Sequence, residues 1–145
     1  MTSVVDFFQS FIPGFRLVDG GQLKRQVDLT LSTDYGVTAL SGGGQTGATQ
    51  LTGAFNILTT VATTADSVML AVAVQGRYQF VINNGANSAQ VFGQTYNPNT
   101  AAGDVIIAHG ATTTTASTTG VAQASAVGSM YYCTTSGVWK QMNFS

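Results

Sequence analysis

The chain contains no glutamate, and only 8% of its 145 residues are charged, against roughly a quarter in ordinary soluble domains. A surface so poor in charge is a poor surface for a freely diffusing monomer, and it points to a protein covered by other protein in an assembly of many copies. Five basic residues against six acidic ones, with only Lys24 and Arg25 adjacent, exclude the clustered cations that phosphate binding requires, so no nucleic-acid partner is expected. One cysteine, Cys133, excludes an intrachain disulfide and fits synthesis in a cytoplasm. The longest apolar run, Val68 to Val74, falls well short of the roughly 20 residues of a membrane span. The first residues lack a basic n-region and carry Asp6 inside the apolar stretch, so neither a signal peptide nor a membrane is expected.

What fills the chain instead is Gly, Thr, Ala, Ser and Asn around short apolar runs. Val4, Phe7, Phe8 and Phe11 stand at i, i+3, i+4, i+7 before Pro13-Gly14, which predicts a short apolar arm, folded on its own core or docked on a neighbour. Asp19 with Gln22 forms a capping-box pattern, and Leu23, Val27 and Leu31 form a stripe. These favour one short helix over about Gly20 to Ser32, although Val27, Leu29 and Leu31 also alternate as a strand would. Residues 1–46 thus divide off as arm, short helix and Gly-rich linker, and residues 47–145 as a β domain.

Within that domain the candidate strands are Phe55–Val61, Val68–Val74, Arg77–Asn83, Ala89–Gln94, Asp104–His109, Met130–Thr134 and Val138–Phe144. Asn83-Asn84-Gly85 and Ser136-Gly137 supply turn chemistry and predict two antiparallel hairpins. The Thr-rich segment Ala111–Gly120 reads as a long exposed hairpin or a loop. The fold class expected is mainly β, an antiparallel sandwich or jelly-roll-like barrel with an N-terminal arm.

Reactive chemistry is thinly represented. Gly42, Gly44 and Gly47 spell G-x-G-x-x-G, with Asp66 near the distance of a ribose-binding acid. The residues after Gly47 alternate like a strand rather than opening a helix, so a flexible linker is the better reading. His109 is the only histidine. Its nearest acid, Asp104, sits at an odd separation on the same strand, on the opposite face and roughly 16 Å away. Cys133 reads as a small hydrophobe. Tyr131, Tyr132 and Trp139 could form a sugar- or base-stacking platform, but their strand setting favours core packing. No catalytic residue, metal or cofactor is expected, and a small nucleotide-binding or enzymatic domain is the remote alternative.

Several stretches together resemble small virion-associated β-rich proteins of tailed bacteriophages. They are Arg16-Leu17-Val18-Asp19-Gly20 with Leu23, Gly43 to Leu51, Thr59 to Val68, Val81 to Asn87 with Val91-Phe92-Gly93, Met130 to Cys133, and Gly137-Val138-Trp139. The chain departs from that pattern at Ala71 and over residues 104–108. The resemblance implies a capsid decoration, or cement, protein that binds the outer capsid surface and bridges capsomers. A low-copy head-fibre or tail-associated protein contacting the host surface is the alternative. It implies the major capsid protein and sister copies, as a homotrimer, for partners, and the virion for location. Val4, Phe7, Phe8, Phe11 and Ile12 are the candidate capsid or subunit contacts.

Overall fold

A computed structural model describes residues 15–18, 22–25 and 31–144. The chain divides into two compact units, Met1–Thr30 and Leu31–Ser145. In the first, β1 (Phe15–Val18) pairs antiparallel with β2 (Gln22–Arg25), Val18 opposite Gln22 and Phe15 opposite Arg25. Part of the expected helix is therefore a strand. The capping box suggested for Asp19 and Gln22 does not lead into a helix over 22–25.

The second unit is built wholly from strands, with no helix among the described residues. They are β3 (Thr33–Thr38), β4 (Thr49–Gln50), β5 (Phe55–Thr60), β6 (Ser67–Met69), β7 (Tyr78–Asn83), β8 (Ala89–Phe92), β9 (Val105–Ile107), β10 (Val121–Gln123), β11 (Val127–Thr135) and β12 (Val138–Phe144). One sheet runs β3-β5-β7-β11-β12-β9 and the other β10-β8-β6-β4. Residues 31–46 thus carry a strand of the larger sheet.

The mainly-β class holds, but the antiparallel expectation does not. β3, β5 and β7 pair in parallel in one sheet, and β4, β6 and β8 pair in parallel in the other. From β3 to β8 the chain passes back and forth between sheets, laying each strand beside the one two elements earlier, as in a β-solenoid. Thr33 meets Phe55 and Phe55 meets Phe80, offsets of roughly 20–25 residues. A parallel pair needs a long crossover, and here a strand of the opposite sheet provides it. After β8 the pattern changes. The hairpin β11–β12 adds antiparallel to β7, β10 adds antiparallel to β8, and β9 runs parallel to β12 at the edge.

Of the two predicted hairpins, the one at Ser136-Gly137 forms, with Gly137 at φ +85°. The one at Asn83-Asn84-Gly85 does not, because β7 and β8 lie in different sheets. Asn83 folds its own side chain into the turn, accepting from Gly85 N at 2.9 Å and donating to Asn87 O and Gln123 O, each at 2.9 Å. The Thr-rich stretch 111–120 is a loop.

Both sheets contribute to one apolar cluster, with Leu58, Val81, Tyr131 and Trp139 from the larger and Val68, Ala89, Val91 and Val121 from the smaller. The apolar run Val68–Val74 predicts one strand, but only Ser67–Met69 is strand. Beyond it side chains replace ladder partners: Ala71 N donates to Gln79 Oε1 and Ala73 N to Asp104 Oδ2, each at 2.8 Å.

Candidate interaction face

Alternation along a strand sends successive side chains to opposite faces. On β7, Gln79, Val81 and Asn83 are buried while Tyr78, Phe80 and Ile82 are half-buried. The hidden face therefore carries two amides, and the outer face carries the large apolar groups. Each amide is satisfied, as buried polar groups must be. Gln79 Nε2 donates to Gly53 O at 2.9 Å, and Asn56, buried on β5, donates to Gly53 O at 2.8 Å and Phe80 O at 3.1 Å.

A second inward network joins the hairpin to the smaller sheet. Tyr131 donates its hydroxyl to Gln123 Oε1 at 3.1 Å and accepts from Gln141 Nε2 at 3.0 Å. Burial holds the Tyr131 phenol well above its ordinary value. Tyr131 and Trp139 are fully buried, so neither is a stacking platform, and Tyr132 is half-buried on the outer face.

The outer face of the larger sheet follows from the register. One row across it is Tyr35, Ile57, Ile82, Gly128 and Phe144. The next is Thr33, Phe55, Phe80, Met130 and Met142, and the third is Tyr78, Tyr132, Lys140 and Ile107. Phe55 and Phe80 stack at 4.4 Å with 5° between rings, and Phe144 lies 6.3 Å from Phe80. Tyr35 is 77% exposed, Phe144 45% and Met142 41%. In these three rows the one charged residue is Lys140. With strands about 4.8 Å apart and same-face residues about 6.7 Å apart, the rows cover roughly 450 Å². That lies within the range of the largest apolar patch on a typical monomer, and such a patch is often a functional contact site.

The residues singled out for chemistry stay apart. His109 is exposed beside a cleft of about 450 Å³ that Tyr132, Lys140 and Met142 also line. Asp104 is fully buried, accepting from Ala73 N at 2.8 Å and from Asn97 Nδ2 at 2.7 Å. Cys133 belongs to the core, its Sγ donating to Thr135 O at 3.0 Å, and burial pushes its thiol up. Among the described residues, no three His, Cys, Asp or Glu side chains gather into a metal site.

Gly42, Gly44 and Gly47 all take positive φ in a loop that leads into β4 rather than a helix, so the dinucleotide fingerprint lacks the element that would hold a pyrophosphate. Asp66 turns onto its own loop, accepting from Thr63 Oγ1 at 2.6 Å and Ala62 N at 2.7 Å. The Thr63 hydroxyl, with the Thr63, Ala62 and Gly42 backbone, holds its carboxyl below the ordinary 3.8. Val4, Phe7, Phe8, Phe11 and Ile12 lie outside the described residues.

Comparison with protein-family models, with characterised proteins and with solved structures finds no match. Five of the six strands of the apolar face were legible in the sequence, whereas β3 and the face itself were not. Its signal was present in Tyr-Gln-Phe-Val-Ile-Asn over 78–83, where every polar residue shares one parity.

Proposed function

We propose that this protein is a bacteriophage capsid decoration protein, which binds the outer capsid surface and stabilises the head by bridging capsomers. The observation that carries the reading is the outer face of the six-stranded sheet, a broad apolar surface with one lysine on a chain that has no glutamate. Contact with protein is the use such a surface serves, and cement proteins act through repeated apolar and backbone contacts without a reactive group. The sequence resemblance to virion proteins supplies the capsid as partner, the virion as location and a trimer as the expected assembly. The arm residues Phe7, Phe8 and Phe11 are the proposed anchor.

Copy number tests the reading. Mass spectrometry of purified particles is expected to find this chain at hundreds of copies, in fixed ratio to the major capsid protein. About a dozen copies would favour the fibre or tail alternative, and absence from particles would overturn both. Removing residues 1–12 is expected to abolish particle binding while leaving the β unit folded, and normal decoration by the truncated chain would rule the arm out as anchor.

A further inference from the structure

We infer that the cleft at the β9 edge of the larger sheet is a binding site for a carboxylated sugar, with Lys140 receiving the carboxylate. The inference stands apart from the decoration reading, since it concerns a small ligand at one corner of the sheet and not what the sheet docks against.

The strand register builds the cleft. Lys140 on β12 lies opposite Tyr132 on β11 and beside Ile107 on β9, so these three side chains share the outer face and form a floor. Met142, two residues beyond Lys140, extends it. The chain past β9 keeps its place alongside β12, because His109 N donates to Gln141 Oε1 at 3.1 Å. It then turns at Gly110, where φ is +77° and Ala111 N donates back to Ala108 O at 2.9 Å. Thr115 N and Oγ1 both donate to Ile106 O, at 2.8 and 2.9 Å. Residues 108–115 are thus tied at both ends, and their first part, with Thr112, walls a cleft of about 450 Å³. That volume lies in the range of about 300–1,000 Å³ that holds a small molecule, and binding does not have to order the wall.

Charge selects an anion. Lys140 is half-buried, yet no carboxylate pairs with it among the described residues. Asp34 accepts from Thr52 Oγ1, Asp66 from Thr63 Oγ1 and Asp104 from Asn97 Nδ2. An ammonium partly withdrawn from water is costly until a counter-charge meets it, and a carboxylate there makes charge-assisted hydrogen bonds. One ammonium balances one negative charge, which suits a carboxylate better than a phosphate of nearly two. His109 stands at the rim, its Cα roughly 8 Å from that of Lys140 by strand geometry, and an imidazole N–H donates in either protonation state.

The remaining groups select a sugar. Tyr132 presents a half-buried ring, an apolar body with a polar tip on which the carbon face of a pyranose can pack. Ile107 continues that floor, while Thr112 and His109 offer hydrogen bonds to ring hydroxyls. A hydrocarbon acid would cover the floor and leave those rim groups without partners.

The test is a titration of the full chain, labelled with nitrogen-15 and followed by amide chemical shifts, with glucuronate, glucose and benzoate in turn. Glucuronate is expected to saturate with a dissociation constant on the order of 1 mM, moving the amides of His109, Thr112 and Lys140. Glucose lacks the carboxylate and benzoate the hydroxyls, and each is expected to bind about tenfold more weakly or worse. Lys140→Gln keeps most of the stem and loses the charge, so it is expected to weaken glucuronate about tenfold while leaving glucose unchanged. His109→Ala, at an exposed position, is expected to weaken glucuronate about threefold, and it makes the test should Lys140→Gln fail to fold. Arg77→Gln, at an exposed cation outside the cleft, is expected to bind as wild type. Shifts confined to amides outside the cleft, glucose or benzoate binding as tightly as glucuronate, or undiminished affinity in a folded cleft variant overturns the inference.

Discussion

Replacing Asp104 with alanine removes the acceptor that clasps two separate segments. Its carboxylate takes Ala73 N at 2.8 Å and Asn97 Nδ2 at 2.7 Å, and Asn97 itself donates to Ala73 O at 2.8 Å. All three residues are fully buried, so water does not replace the lost bonds in the native structure. Stranding a buried donor costs about 1–3 kcal/mol, and two are stranded here, which gives about 2–6 kcal/mol. A unit of about 115 residues unfolds with an entropy near 0.24 kcal/mol/K, so Asp104→Ala is expected to lower Tm by roughly 8–25 °C in a thermal melt followed by circular dichroism. Asn97→Ala strands part of the same network. The double variant is therefore expected to cost less than the sum of the single ones, by about 1–2 kcal/mol. A Tm loss under about 3 °C for Asp104→Ala, or strict additivity, would refute the clasp.

Asp66 gives a pH prediction. Its folded value lies below 3.8 because the Thr63 hydroxyl and neighbouring backbone amides hold the carboxylate form. The stability it contributes is therefore complete above its unfolded value and lost as pH falls through the folded one. Asp66→Asn is expected to flatten the fall in Tm below about pH 4 while lowering Tm at neutral pH, and an unchanged acid limb would refute this. Asp34 is held low in the same direction, by the Thr52 hydroxyl first and by Gly53 N at 2.7 Å, so the Asp34→Asn/Asp66→Asn pair is expected to flatten the limb further. Cys133, buried with its thiol pushed up, is expected to react with a thiol reagent at least tenfold more slowly in buffer than in denaturant. Equal rates would place it at the surface.

Strand positions were legible where apolar and polar residues alternate. Phe55–Val61, Arg77–Asn83 and Val138–Phe144 each coincide with an observed strand to within a residue. Alternation does not say which parity faces inward, and the usual assumption would have buried Tyr78, Phe80 and Ile82. The true interior takes Gln79 and Asn83 because distant carbonyls, those of Gly53 and Gln123, are there to receive their amides. Parallel pairing was illegible for a related reason. Nothing local in Phe55 records that its neighbours are Thr33 and Phe80, whereas Ser136-Gly137 announces its hairpin in two residues. The arm contacts Val4, Phe7, Phe8, Phe11 and Ile12 stand as sequence expectations.

The winding of β3 to β8 has a consequence for the order in which the chain finds its fold. Each turn there closes on the turn before it, over loops of similar and moderate length, so that the entropy of closure rises in small steps. β9 is different, for its one strand partner is β12, more than thirty residues further on. Residues 93–120 therefore have no complete sheet to join until the β11–β12 hairpin has docked on β7. The coil can assemble progressively, but the rest must arrive together, and refolding is expected to show a late cooperative step in which the edge, the hairpin and the Asp104 clasp form as one event.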